Sequence, residues 1–141
     1  IIYGSIDDLV KVGTEWVITD KKTTGSIDYF SKARSQPSES HVLQINRYRV
    51  LLKKCYGIDA KYGAVIYISN SIDKEKRDKP IVLSFKLQPL EETLQDMIVK
   101  SKIIKESYTE RSLPERTKCY LCDGFCPYAT KCFSEESEQI D

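Results

Sequence analysis

Apolar and polar positions alternate along the first two dozen residues, where Val10 and Val12 are spaced among charged or polar neighbours and Trp16-Val17-Ile18 forms a β-rich triplet. With Gly13-Thr14-Glu15 between them, Ile1 to Thr24 is predicted to be a β-hairpin. From Thr23 to Glu39 the chain is rich in Ser, Thr, Gly and charge and is expected to be a loop with one short helical turn. Helical spacing then runs from about His41 to Cys55, with Ser38 or Ser40 as N-cap, Gly57 at the C-terminus, and Val42, Ile45, Leu51 and Leu52 inward. Two short apolar runs, Tyr62 to Ser69 and Ile81 to Leu87, read as adjacent strands joined by the charged turn DKEKRDKP. A second helix opens at Pro89-Leu90 and runs to about Ser107, with Leu90, Leu94, Met97, Ile98 and Ile104 inward.

The order hairpin, helix, strand, strand, helix predicts the α/β class, a mixed sheet flanked by helices in which the hairpin supplies central strands. Such a sheet calls for a helix before its first strand, and none stands there. The only methionine is Met97 and the chain opens on a strand-like run, so it is expected to begin inside a longer protein, with the N-terminal part of the core missing. The expected division is a core over 1–112, a cysteine-rich metal module over 113–134 and an acidic tail over 135–141.

Composition narrows the function less than the pattern does. At 141 residues the chain has room for one domain. Its net charge of +1 argues against a strongly basic nucleic-acid binder. That balance is a cancellation, because residues 31–62 hold seven basic against two acidic side chains while residues 119–141 hold one against five. No apolar run approaches the ~18–20 residues of a membrane span, so no membrane partner is expected. Five cysteines without a signal-like leader fit a reducing cytoplasm better than a secreted disulfide scaffold.

Three groups of residues carry candidate chemistry. Asp7, in Gly4-Ser5-Ile6-Asp7, and Asp20, in Asp20-Lys21-Lys22, lie on the two arms of the expected hairpin, and two carboxylates so placed can bring oxygen ligands to one Mg2+ or Mn2+. Lys22, two residues beyond Asp20, faces the same side of its strand, where an ammonium can stabilise charge on a phosphate under attack. Gln44 and Tyr48, four residues apart, share one helix face. The third group is Cys119, Cys122, Cys126 and Cys132, with two, three and five residues between successive cysteines. Four thiolates in so short a segment can surround an iron-sulfur cluster, with zinc as the competing occupant. His41, the only histidine, is expected to serve the helix start, and Cys55 to be a buried or half-buried thiol.

Taken in order, G-S-I-D, V-I-T-D-K-K-T, H-V-L-Q-I-N-R-Y, Y-G-A-V-I-Y-I-S and a cysteine-rich end resemble the RecB-like branch of the PD-(D/E)XK nucleases. In that branch G-x-x-D, D-x-K and Q-x-x-x-Y motifs follow one another; with the cysteine tail the chain looks most like the CRISPR-associated iron-sulfur exonucleases of the Cas-four type. The resemblance implies a restriction-endonuclease-like core. It implies Asp7 and Asp20 as metal ligands, a backbone carbonyl from Lys21, Lys22 as the catalytic lysine, and Gln44 with Tyr48 as DNA-contacting groups. The implied activity is Mg2+- or Mn2+-dependent exonuclease hydrolysis of DNA, mainly of single strands or frayed ends, in CRISPR adaptation or in viral or cellular DNA processing, with CRISPR integrase proteins as partners and an oligomer left open. It implies a 4Fe-4S cluster, held by all four tail cysteines or by three of them and an upstream ligand. Lys21 stands where the family usually has an aromatic or apolar residue, and the family's upstream His or Glu ligand has no counterpart. A second reading of the same residues is a non-catalytic DNA- or partner-binding module with a structural metal cluster; a third is a zinc-bearing interaction domain, which would lack the broad visible absorbance of iron-sulfur proteins.

Overall fold

The computed structural model describes residues 2–33, 36–73, 75, 79–112, 126, 127, 129 and 130. The chain divides into two units, Ile1–Ile98 and Val99–Asp141. The first is an α/β unit built on one mixed four-stranded sheet. Its strands are β1 (Asp8–Val12), β2 (Glu15–Thr24), β3 (Ala60–Ser69) and β4 (Ile81–Lys86), in the spatial order β1-β2-β3-β4. β1 pairs with β2 and β3 with β4 antiparallel, whereas β2 and β3 run parallel, joined through α1 (Ile27–Ala33) and α2 (Glu39–Tyr56). The helix α3 (Leu90–Glu110) follows β4 and continues into the second unit.

The hairpin forms as its pattern predicts. Val12 pairs with Glu15, leaving Gly13-Thr14 as a two-residue loop, and Gly13 takes φ +60°. A positive φ at the first loop position alone is the demand of a type II′ turn, which glycine meets at no steric cost. Two expectations need correcting here. The ladder begins at Asp8, so Gly4 to Asp7 lie before the strand rather than on its arm. And β1 is an edge strand; the hairpin contributes one central strand, β2.

Alternation in β2 and β3 builds the core face. Ile18 pairs with Gly63, Asp20 with Val65 and Lys22 with Tyr67, and period two sends all six to one side of the sheet. The cluster under α2 contains Ile18, Ile45, Leu52, Val65, Tyr67, Phe85 and Leu87. Ile18, Ile45 and Val65 are fully buried, each contributing about 1.5–3 kcal/mol relative to an exposed side chain.

α2 starts two residues before the expected His41 and ends at Gly57, in the left-handed conformation with φ 72°, its N–H bonded to the Lys53 carbonyl. Its inward residues differ from the expected set: Ile45, Asn46, Val50 and Leu52 are buried, while Val42 and Leu51 are half-buried. Asn46 is tolerated inside because both ends of its amide are satisfied. Nδ2 donates to the Val42 carbonyl at 2.9 Å and Oδ1 accepts the Gln88 N–H at 2.8 Å, tying the end of β4 to the helix. In α3 Thr93 and Met97 are buried, but Ile98 and Ile104 are exposed, against expectation. An apolar residue at a helical spacing is inward only where a neighbour covers that turn.

Gly63 sets how closely α2 can sit on the sheet. A Cβ there would lie 2.7 Å from Ile45 Cγ2, 3.0 Å from Phe85 Cζ and 3.1 Å from Leu87 Cδ2. Gly63→Ala is therefore expected to destabilise the fold by about 1–3 kcal/mol, the usual cost of overpacking a tight core. Urea unfolding checks this; a midpoint equal to the parent's would show that α2 has room to spare.

Candidate active site

Asp20 and Lys22 reach the same face of β2 by the strand's period, and α2 crosses that face with Gln44 and Tyr48 one turn apart toward it. The side chains meet. Lys22 Nζ donates to Gln44 Oε1 at 3.0 Å; Gln44 Nε2 donates to Tyr48 Oη at 2.6 Å and to Asp20 Oδ1 at 3.4 Å. The orientation of the amide follows from chemistry, since its oxygen must take the ammonium and its nitrogen the two oxygens. Tyr48, accepting from Gln44, keeps its own O–H proton for a further acceptor.

Asp20 is 2% exposed. Lys22 Nζ stands 2.9 Å from its Oδ2 as an ion pair, but without the alignment of a hydrogen bond, so this buried oxygen has no hydrogen-bond donor. A carboxylate oxygen so deprived is disposed to take a cation.

Asp7 joins from the segment just before β1. The register Asp8↔Thr19 carries Asp7 to the level of Asp20, and Asp7 Oδ2 accepts the Lys21 backbone N–H at 2.8 Å. N–H and C=O of one extended residue point to the same edge. The Lys21 carbonyl thus faces the edge on which Asp7 sits. The side chain of Lys21 turns to the other face, where Nζ pairs with Asp8 at 2.6 Å; that hydrogen bond and the charge of Asp8 raise the Lys21 pKa. Asp8 is accordingly occupied away from Asp20. Two carboxylates, that of Asp20 with an oxygen that lacks a donor, and the Lys21 carbonyl are hard oxygens of the kind that suits Mg2+ or Mn2+. Among the described residues no group of three His, Cys, Asp or Glu side chains gathers to hold a metal.

A second layer steadies the helix. Tyr67, paired with Lys22 across β2 and β3, stacks on Phe30 of α1 with centroids 3.7 Å apart. Its hydroxyl accepts the Ser38 N–H at 3.3 Å and lies 2.9 Å from His41 Nδ1, which is also 2.8 Å from Ser38 Oγ. Ser38 does occupy the N-cap, with its hydroxyl engaged by His41 rather than by a helix N–H. The period of two through Gly63, Val65 and Tyr67 was the sequence signal for Tyr67, which residue-type reasoning about the motifs passed over.

Burial lowers the His41 pKa, with Lys22 acting in the same direction against the opposing charge of Asp20. Because the folded state resists the proton, the unfolded chain binds it first as pH falls. Stability from this group is full above the ordinary value of 6.5 and declines as pH drops through it toward the lower folded value. Melting temperature measured from pH 7.5 down to 5 should fall less steeply in His41→Gln than in the parent; equal slopes would remove His41 from the account.

Part of the basic stretch is committed to the scaffold. Arg47 pairs with Asp96 at 3.4 Å, Arg49 with Asp59 at 2.9 Å, and Lys61 with Glu15 at 2.8 Å, an interaction that raises the Lys61 pKa. Cys55 is exposed rather than buried or half-buried, in the last turn of α2, where its neighbours Lys53, Lys54 and Tyr56 are exposed too. Of the tail cysteines, Cys126 is half-buried at the start of a turn closed by the Ala129 N–H to its carbonyl at 3.1 Å. Cys119, Cys122 and Cys132 lie outside the described residues. No helix among the described residues is long and apolar enough to cross a membrane.

No family model, curated protein or solved structure matches the chain.

Proposed function

We propose that the chain is a divalent-metal-dependent deoxyribonuclease acting on ends of single-stranded or frayed DNA, with a RecB-like core. The observation that carries this reading is the Gln44 amide, which joins Lys22, Asp20 and Tyr48 in one bonded unit although the two motifs they come from lie 22–28 positions apart. A packing tyrosine and a solvated glutamine would have no cause to meet a buried ion pair.

In this reading Asp7, Asp20 and the Lys21 carbonyl would hold Mg2+ or Mn2+, which when bound would supply Lewis-acid activation of water and neutralise phosphate charge. Lys22 stabilises charge developing on the phosphate, Gln44 fixes the ammonium, and the Tyr48 hydroxyl donates a hydrogen bond to a phosphate oxygen. The tail cysteines are proposed as iron-sulfur ligands, supported by their spacing. CRISPR adaptation, with integrase proteins as partners, is the setting that the motif order suggests.

The test is incubation of the purified chain with end-labelled single-stranded DNA in Mn2+ and in EDTA. Mononucleotides or short fragments are expected in Mn2+ alone. DNA binding that weakens steeply with salt, with no cleavage in Mn2+ or Mg2+, would replace this reading by the non-catalytic one.

A further inference from the structure

A cleft of about 180 Å³ lies against the other side of Tyr48, walled by Tyr3, Gly4, Leu51, Cys55 and Tyr56. Its construction is specific. Gly4 lies so close to the tyrosine that an added Cβ would sit 2.9 Å from Tyr48 Cε1 and 3.3 Å from Leu51 Cδ1. A side chain at this position would force the Tyr48 ring or the segment before β1 to shift. Two of the remaining walls are aromatic rings left largely in water, Tyr3 at 91% and Tyr56 at 76% exposure.

We propose that this cleft is a nucleobase subsite, receiving one unpaired base of the DNA strand whose phosphate is held at Asp20 and Lys22. The proposal rests on the nuclease reading and goes beyond it by naming what lies beside the scissile phosphate. Continuity argues for it: the Tyr48 hydroxyl belongs to the Gln44 unit while its ring is a wall of the cleft. Size argues for a single base, since drug-sized ligands need about 300–1,000 Å³. Chemistry argues for a base over an aliphatic group, because stacking on exposed tyrosine rings tolerates any base and covers their faces. A base stacked in a duplex cannot enter, so the subsite would itself confer preference for single strands.

Cys55 reports on occupancy without any need for cleavage. In EDTA, its alkylation by iodoacetamide, followed by residue-resolved mass spectrometry, should slow about fivefold or more with saturating oligothymidylate but not with an abasic strand of equal length. Tyr56→Ala should weaken oligothymidylate binding about tenfold, the usual loss for one base–aromatic stack, and leave abasic-strand binding unchanged. Equal protection by both strands, or by neither, would overturn the subsite. Cleavage in Mn2+ with no base-dependent protection would leave the nuclease reading standing and remove this one; base-dependent protection with no cleavage would do the reverse.

Discussion

Asp20→Asn is expected to lower Mn2+-dependent cleavage of single-stranded DNA by more than ~100-fold, since loss of even an outer partner of a metal site costs about 10–100-fold. Asparagine keeps the shape and the Oδ1 that accepts from Gln44 Nε2, so the helix contact survives. What goes is the charge and the buried oxygen without a donor. Lys22 loses its counter-ion but is part-exposed, at 28%, and water can take up its charge. The fold should therefore persist, checked by far-UV circular dichroism and melting temperature beside the rate. A folded Asp20→Asn variant cleaving within threefold of the parent would show that this carboxylate holds no metal.

Lys22→Ala is expected to reduce cleavage by about 10²–10³-fold, as for removal of a preorganised charge at a transition state. It has a second consequence that a merely catalytic lysine would lack. The Asp20 carboxylate, its side chain 3% exposed, would lose the only cation that pairs with it among the described residues, and an uncompensated buried charge costs about 3–5 kcal/mol. A divalent ion on the same carboxylate offsets that loss. The melting temperature of Lys22→Ala should thus rise more with added Mn2+ than the parent's does; an equal rise in both would separate Lys22 from the metal site.

How much of this was legible in the sequence depends on whether a feature is written in local periodicity. The hairpin, the two later strands and α2 follow from alternation, a turn glycine and a C-terminal Gly57. Asp20 with Lys22, and Gln44 with Tyr48, follow from periods of two and four. Their meeting does not, because it depends on which face α2 covers, and that is set by tertiary packing of Ile45 over Gly63. Asn46 was illegible for the same reason, since a polar residue is placed inside by a partner forty-two positions away, the Gln88 N–H. Tyr67 read as one more apolar strand residue; only its pairing opposite Lys22 turns the hydroxyl toward the helix start. The segment from Gly4 to Asp7 continues the strand spacing in sequence, yet the ladder begins at Asp8, with Gly4 lying against Tyr48 and Asp7 reaching the Lys21 N–H through its side chain.

In the proposed function a single site would both bind the metal and cut the strand. Its most direct test is a Mn2+ titration of the parent chain followed by electron paramagnetic resonance for bound metal and, in the same samples, by single-turnover cleavage of an end-labelled oligothymidylate. The two curves are expected to rise with one midpoint, and both to vanish in Asp20→Asn. Mn2+ bound at a site that Asp20→Asn leaves intact, or saturating Mn2+ with no cleavage by the parent, would contradict it.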